Sequence, residues 1–413
     1  MKKIWIPLII STIVSPLLIV SHLPAQTDSI VKKTLASFTP QSDNCRNNCT
    51  PIRENNSSSP QISQNLSNKP KIQVAILLDS SNSMDGLIEQ ARTQIWSVVN
   101  AISKVKKNGK APIFEVSLYH YGNDTLPSSE GFNRMLNELT TDLDGVSESL
   151  FSIKTNGGQE YAGWVIDSAL QQLKWSNNSN DFRVIFIAGN EPFDQGNHDW
   201  EKAVKQAVTE DIIVNTIYCG YSENSENNLW AVAANQGKGS YFNLNQNQQQ
   251  VSIPTPYDAD IAELNKQLND TYIPYGVRGN EFSTRQMQQD TNAFNSNTGS
   301  AGINRAITKA SPNYRNSAWD LVDALTDNTV DLNSLDKNTL PENLRSSSTN
   351  EIRLYVEEMK LKRAKIQAQI AELSQKRAEY IAKNTPKSSD NTLDSLMIKT
   401  LYQQLAKKGF SIQ

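Results

Sequence analysis

Histidine and cysteine are scarce, three of each in 413 residues. His22 falls in the N-terminal apolar segment, which leaves His120 and His198. With so few imidazoles there is no Ser-His-Asp spacing, and neither a phosphate-cradling glycine loop nor a redox cysteine pair is present. Cys45 and Cys49 are close in sequence, but a zinc site would need two more ligands and their neighbourhood has no histidine. In an oxidising compartment they would close a small disulfide loop. Cys219 ends an apolar run and reads as a buried structural thiol. Charge of one sign is also missing: Lys and Arg number 40 against 43 Asp and Glu, for a net charge of −3. That balance leaves no electrostatic footprint for nucleic acid. Hydrophobic residues make up 38% and charged residues 20%, low enough that part of the chain reads as extended or loosely packed.

What is present begins with an address. Lys2-Lys3 precedes the apolar stretch Ile4 to Val20, and Leu23-Pro24-Ala25 offers a small residue at a cleavage point. Residues 1–25 therefore read as a secretory signal, which implies a periplasmic or extracellular protein. If retained, the same run approaches the ~20 residues that a membrane span requires and would anchor the N-terminus. Residues 26–70 read as a disordered linker: Asn, Ser, Pro and Gln crowd Asn55 to Pro70, with too few large apolar residues to offset the entropy of ordering. The full length suggests two or more domains, at roughly 100–200 residues each.

From Lys71 a β/α alternation begins. Apolar runs at Ile72–Leu78, Ile113–Tyr119, Val184–Ala188, Ile212–Tyr218 and Ser240–Leu244 read as strands. Helical spacing covers Leu87–Val105, Val146–Ile153, Tyr161–Leu173, Trp200–Val208 and Leu229–Ala234, and an antiparallel edge strand fits before Gly145. This predicts an α/β fold: a doubly wound, mainly parallel sheet covered on both faces over residues 71–250, followed by an all-helical C-terminal extension. Residues 251–345 carry helices at Asp260–Leu268, Ala301–Lys309 and Ser317–Leu325. Residues 346–413 hold a long charged helix, Glu351–Lys383, and a terminal helix, Leu393–Lys407. The long helix has an imperfect heptad of Ile352, Val356, Met359, Ile366, Ile370, Leu373 and Tyr380, with Arg363 and Arg377 on the seam. It would fold back on the last helix as a hairpin or pair with a second copy as a short coiled coil.

The chemistry centres on Asp79-Ser80-Ser81-Asn82-Ser83, directly behind the apolar run Val74–Leu78. A carboxylate and two hydroxyls at alternate positions sit on the turn from a central strand into a helix. In an open α/β sheet that turn lies at the carboxyl edge, where ligands bind. Oxygen donors on a tight loop suit a hard divalent cation, magnesium or manganese. The same Asp and Ser residues also suit a helix N-cap.

Asp79-x-Ser81-x-Ser83, with aliphatics before and an amphipathic helix behind, closely resembles the metal-ion-dependent adhesion site of the von Willebrand factor type A (VWA) family, and the β/α alternation over residues 71–250 matches that architecture. The resemblance implies a metal drawn from three loops. The first is complete in Asp79, Ser81 and Ser83. In the second the family has a Thr after a Gly-Gly pair, but here Gly157-Gly158 is followed by Gln159-Glu160, with Thr155 upstream. In the third the family has an Asp after the strand, but Gly189-Asn190-Glu191 stands here. The implied metal set is therefore Asp79, Ser81, Ser83, Glu160 and Glu191. Either added carboxylate would strengthen a dication site, or would fill the coordination that a partner's carboxylate otherwise completes.

The expectation is an exported, non-enzymatic interaction module that binds a partner protein through the cation. The alternative is a metal-free VWA scaffold whose helical extension mediates assembly, including assembly into a homo-oligomer through the C-terminal helices. A metal-assisted hydrolase using Glu160, Glu191 or His198 would lack both a fixed nucleophile and a substrate pocket.

Overall fold

A computed structural model describes residues 69–220, 227–244, 253–296, 300–384 and 393–412. The segment read from the sequence as a signal and nearly all of that read as a linker, with Cys45 and Cys49, lie outside these. The fold is built outward from β1 (Lys71–Asp79), which is apolar on both faces because it is covered on both. β1 pairs in parallel with β3 (Ile113–Tyr121) on one side and β5 (Phe182–Gly189) on the other. β6 (Ile213–Tyr218) and β7 (Lys238–Asn243) continue the parallel run beyond β5, and β4 (Asn133–Thr140) adds the expected antiparallel edge to β3. The order is β4-β3-β1-β5-β6-β7. The chain thus winds outward from β1 first to one side and then to the other, so the sheet's topological switch point lies at the carboxyl end of β1.

Strand alternation sorts the side chains into two layers. Ile72, Val74, Leu78, Val116, Leu118, Val184 and Phe186 face one core, and Ala75, Leu77, Tyr119, Tyr121, Ile185 and Ile187 face the other. The second core is closed by α3 (Ala162–Gln172), α4 (Trp200–Thr209) and α5 (Asn227–Gln236). The first is closed by α1 (Asp85–Ser103) and α2 (Leu143–Ser152), and also by the extension. From the extension, α6 (Asp258–Asn269), α8 (Ala301–Lys309) and α12 (Leu393–Lys407) contribute Ile261, Leu268, Ile303, Ala306, Met397, Leu401 and Leu405 to that core. The extension is therefore the missing helical layer of the sheet rather than a separate body. Two short strands, β2 (Val105–Lys106) and β8 (Ser411–Ile412), pair beside it.

Three expectations need correction. A helix at α7 (Gly279–Phe294) was not foreseen, because its buried face is polar: Gln286, Gln289 and Asp290. The Ser317–Leu325 helix starts only at α9 (Leu321–Thr326), where Asp320 caps it by accepting from the Asp323 amide at 2.9 Å, so that Trp319 belongs to the preceding turn. After α10 (Glu342–Arg345), the long helix α11 (Thr349–Asn384) packs on α6, α8 and α9, whereas α12 packs on α1 and β7. The seam of α11 is filled from within the chain. Arg363 is buried, bonded to Asp320 at 2.7 Å and to the Thr271 carbonyl at 2.7 Å, and lies over the Tyr272 ring. Arg377 bonds Asp258 at 2.9 Å. Among the described residues no helix is long and apolar enough to cross a membrane.

Candidate metal site

β1 delivers Asp79 to the carboxyl edge, where the next four residues turn sharply. The Asp79 carboxylate accepts the Ser81 amide at 2.7 Å, the side-chain-to-backbone turn that short polar residues favour. The Ser81 and Ser83 hydroxyls are 2.8 Å apart, and Ser83 donates to Asn190 Oδ1 at 3.0 Å, which ties the first loop to the third. Backbone bonds stitch the first loop to the second: Asn82 N to Gly157 O and Asn156 N to Ser80 O, both 3.1 Å.

The second loop decides which of its polar residues enters the site. Gly157 takes a left-handed φ of 57°, and after it Gln159 points outward while Glu160 turns in. Glu160 is 5% exposed and Asp79 fully buried. Gln195 of the third loop accepts the Glu160 amide, and Tyr161 stacks on Trp164, so the segment is held on both sides. Gly122, in a left-handed conformation after β3, is the floor of the site. A Cβ there would lie 2.6 Å from Glu160 Cγ and 2.7 Å from Asp79 Oδ1, so only glycine fits.

Asp79 Oδ2 and Glu160 Oε2 are both buried without a hydrogen-bond partner. Burial raises the Asp79 carboxyl to about 6, while hydrogen bonds from Glu160 and Ser81 pull it down and the charge of Glu191 pushes it up. Burial and the charge of Asp79 push Glu160 up to about 10. Near neutrality the pair therefore keeps one proton, held on Glu160 and directed to Asp79. Two buried acceptors this close can be satisfied by a shared proton or by a cation between them. Two carboxylates and nearby serine hydroxyls form a hard, all-oxygen donor set that fits magnesium or manganese. A bound cation would supply the charge that lets both acids ionise.

The other candidates stand back. Glu191 is half-buried and acts on the pair through its charge, and among the described residues no group of three or more His, Cys, Asp and Glu gathers as a metal cluster. Thr155 is turned away to Asp85. His120 meets Ser80 Oγ at 3.1 Å and is pushed down to about 4, chiefly by burial and then by Arg134, so it is neutral. His198 pairs with Asp167 at 3.3 Å and stacks on Trp164. Cys219 is buried. A cleft of about 420 Å³ beside Ser80, between His120, Asn123, Ile153 and Thr155, has no carboxylate in its lining. Sequence spacing missed the part played by Gly122 and Gln195, whose positions follow from tertiary approach alone.

In the metal-free protein Glu160→Gln is expected to stabilise. The folded-state pKa of Glu160 lies far above its unfolded value, so its contribution is fully present below about 4.5 and is lost as pH rises toward about 10. A neutral amide, which can donate to Asp79, removes that slope. The variant should gain about 1–3 kcal/mol at alkaline pH in chelator, read as a melting temperature that diverges upward from wild type with pH. Parallel pH profiles would contradict it.

The family model of the von Willebrand factor type A domain matches residues 73–255. Similar solved structures include BatB from Bacteroides thetaiotaomicron, at 17% identity over 42% of this chain and 90% of that one, with a TM-score of 0.32. The SpRpn10 VWA domain is 18% identical over 43% of this chain and 90% of that one, with a TM-score of 0.34. Proximal thread matrix protein 1 from the mussel byssus, solved with a zinc-occupied MIDAS motif, is 11% identical over 44% of this chain and 43% of that one, with a TM-score of 0.33. No curated protein matches the chain. The mainly parallel sheet wound from β1, with Asp79-x-Ser81-x-Ser83 at its carboxyl edge, agrees with the family match: residues 73–255 of this chain are a von Willebrand factor type A domain.

Proposed function

We propose that this protein is an exported, non-enzymatic interaction module whose VWA domain engages a partner protein at the carboxyl edge of its sheet, with a divalent cation, magnesium or manganese, organising the loops there. VWA domains mediate protein–protein interactions. The observation that carries the proposal is the buried carboxyl pair of Asp79 and Glu160 at the topological switch point, whose Oδ2 and Oε2 meet no donor other than a proton the two acids share. A binding role is favoured by where the two histidines are engaged: His120 meets the fully buried Ser80 hydroxyl, which also bonds the Tyr121 carbonyl, and His198 pairs with Asp167. Export rests on the N-terminal sequence. Titration calorimetry with magnesium and manganese is the test. Heat is expected for the native protein and none for Asp79→Ala, and a silent native titration would end the metal claim.

The metal-free alternative draws support from α11, which leaves Leu354 and Leu361 exposed at 63% and 71%, one heptad apart. On that alternative Leu354→Glu with Leu361→Glu abolishes self-association, measured by sedimentation, while Asp79→Ala leaves it intact. An unchanged sedimentation profile for the double variant would reject it.

A further inference from the structure

The strongest unassigned feature is how Glu160 reaches the acid pair. Its side chain comes from the second loop and Asp79 from the end of β1, so the two acids are contributed by segments about eighty positions apart. The approach is built in. Gln195 fixes the Glu160 amide, Ala162 N bonds the Glu160 carbonyl at 3.1 Å, and the bare Cα of Gly122 makes the room that brings the Glu160 side chain beside Asp79. Gly158 closes the same side, since a Cβ there would strike the Gly122 carbonyl and approach Ser81. Solvent reaches 5% of Glu160 and none of Asp79.

Charge points the same way as burial. Two ionised carboxylates already balance a dication. Among the described residues the surrounding loops carry Asp85, Asp124, Glu191 and Asp194, with Lys154 as their cation. A further anion arriving from outside would meet a neutral centre behind an acidic rim, and would have to be desolvated to enter.

We infer that Glu160 is an internal ligand that closes the cation site: it supplies from within the chain the second carboxylate, so that the cation laces the second loop to β1 and does not accept an acidic group from a partner. This rests on the cation reading above. The partner would then be held by the loop surface that the cation organises. On this account the cation matters to loop order, and an acidic ligand gains nothing from it.

The experiment separates the two levels. Binding of manganese alone is followed by loss of the free-ion electron paramagnetic resonance signal at fixed pH, with and without acetate as the probe carboxylate. The native protein is expected to bind manganese with the same affinity in both conditions. Glu160→Ala should bind on the order of tenfold more weakly, and acetate, but not chloride, should restore it by entering the vacated position. Glu160→Gln, which keeps the volume, should be equally weak and not restored. If acetate tightens manganese binding by the native protein, the site is open and the closure is overturned while the cation reading survives. Glu160→Ala binding as tightly as wild type would remove Glu160 from the ligand set. No manganese binding by the native protein overturns the cation reading itself.

Discussion

A chain ended at Asn384, and so lacking α12, is expected to lose cooperative folding of the VWA domain itself. α12 and the residues after it bury Met397, Leu401, Leu405 and Phe410 in the same core as Val74, Val116 and Val184 of the sheet. At about 1.5–3 kcal/mol for each fully buried side chain, four of them contribute about 6–12 kcal/mol, the size of a whole domain's stability of about 5–15 kcal/mol. The loss is also polar. Asn215 lies in the middle of β6 with no solvent exposure, and its amide exchanges two hydrogen bonds with Gln404, at 2.8 and 3.2 Å. Without α12 those bonds go, and a polar group stands in an exposed apolar trough. Tyr402 also bonds the Ala101 carbonyl of α1, and β8 leaves β2 unpaired. The truncated chain should bind a hydrophobic dye and melt without a sharp transition by circular dichroism. A cooperative melt within a few degrees of the full chain would show that the sheet closes without this helix. Function is affected as well: deleting the extension removes part of the VWA core, so it does not isolate the edge loops. Partner binding by the two parts has to be separated with surface variants.

The elements that were legible are those whose burial is written locally. The run Val74–Leu78 followed by Asp79-x-Ser81-x-Ser83 announced a buried strand and an edge loop, because strand alternation and turn chemistry are short-range. The other sheet strands followed the same rule. Helix α7 was invisible because its inward face is Gln286, Gln289 and Asp290, whose burial is compensated by groups far away in sequence. One of them, Gln289, accepts from Ser147 at 2.9 Å, 142 positions away. The seam arginines of α11 illustrate the same limit. Arg363 reads as a flaw in a heptad until Asp320 and Asp323 are brought beside it by tertiary packing. At the site, the sequence put Glu160 in the metal set and left Gln159 out of it, on residue chemistry alone. The left-handed turn at Gly157 and the space left by Gly122 turned Glu160 inward, and neither is readable from residue type alone.

Arg305→Ala should destabilise the protein by about 3–5 kcal/mol, since it breaks a buried ionic network from one side. Arg305 on α8 is completely buried. Its guanidinium lies 2.8 Å from Asp144 of α2 and 2.7 Å from Asp290 of α7, and stacks over Trp96 of α1. Tyr314 donates to Asp144 at 2.6 Å, and Lys309 holds Asp290 at 2.7 Å. The network thus bolts two helices of the VWA layer to two helices of the extension. Removing the guanidinium leaves Asp144 with the Tyr314 hydroxyl and Asp290 with Lys309, Asn265 and Asn269. Burial alone would raise Asp290, but Arg305 and Lys309 hold it below the ordinary carboxylate range. Its stabilising contribution is therefore present above its unfolded value of 3.8 and is lost as pH falls toward the folded one. With Arg305 gone that depression shrinks, and acid unfolding should begin at higher pH than in wild type. Denaturant melts give the first quantity and an acid titration followed by tryptophan fluorescence gives the second. A double-mutant cycle with Asp144→Ala assigns the loss: coupling between the two sites should appear as strong non-additivity, because the second substitution removes a charge that the first has stranded. Additive losses would mean that Arg305 acts through its packing on Trp96, and that its ion pair with Asp144 adds nothing to holding the two layers together.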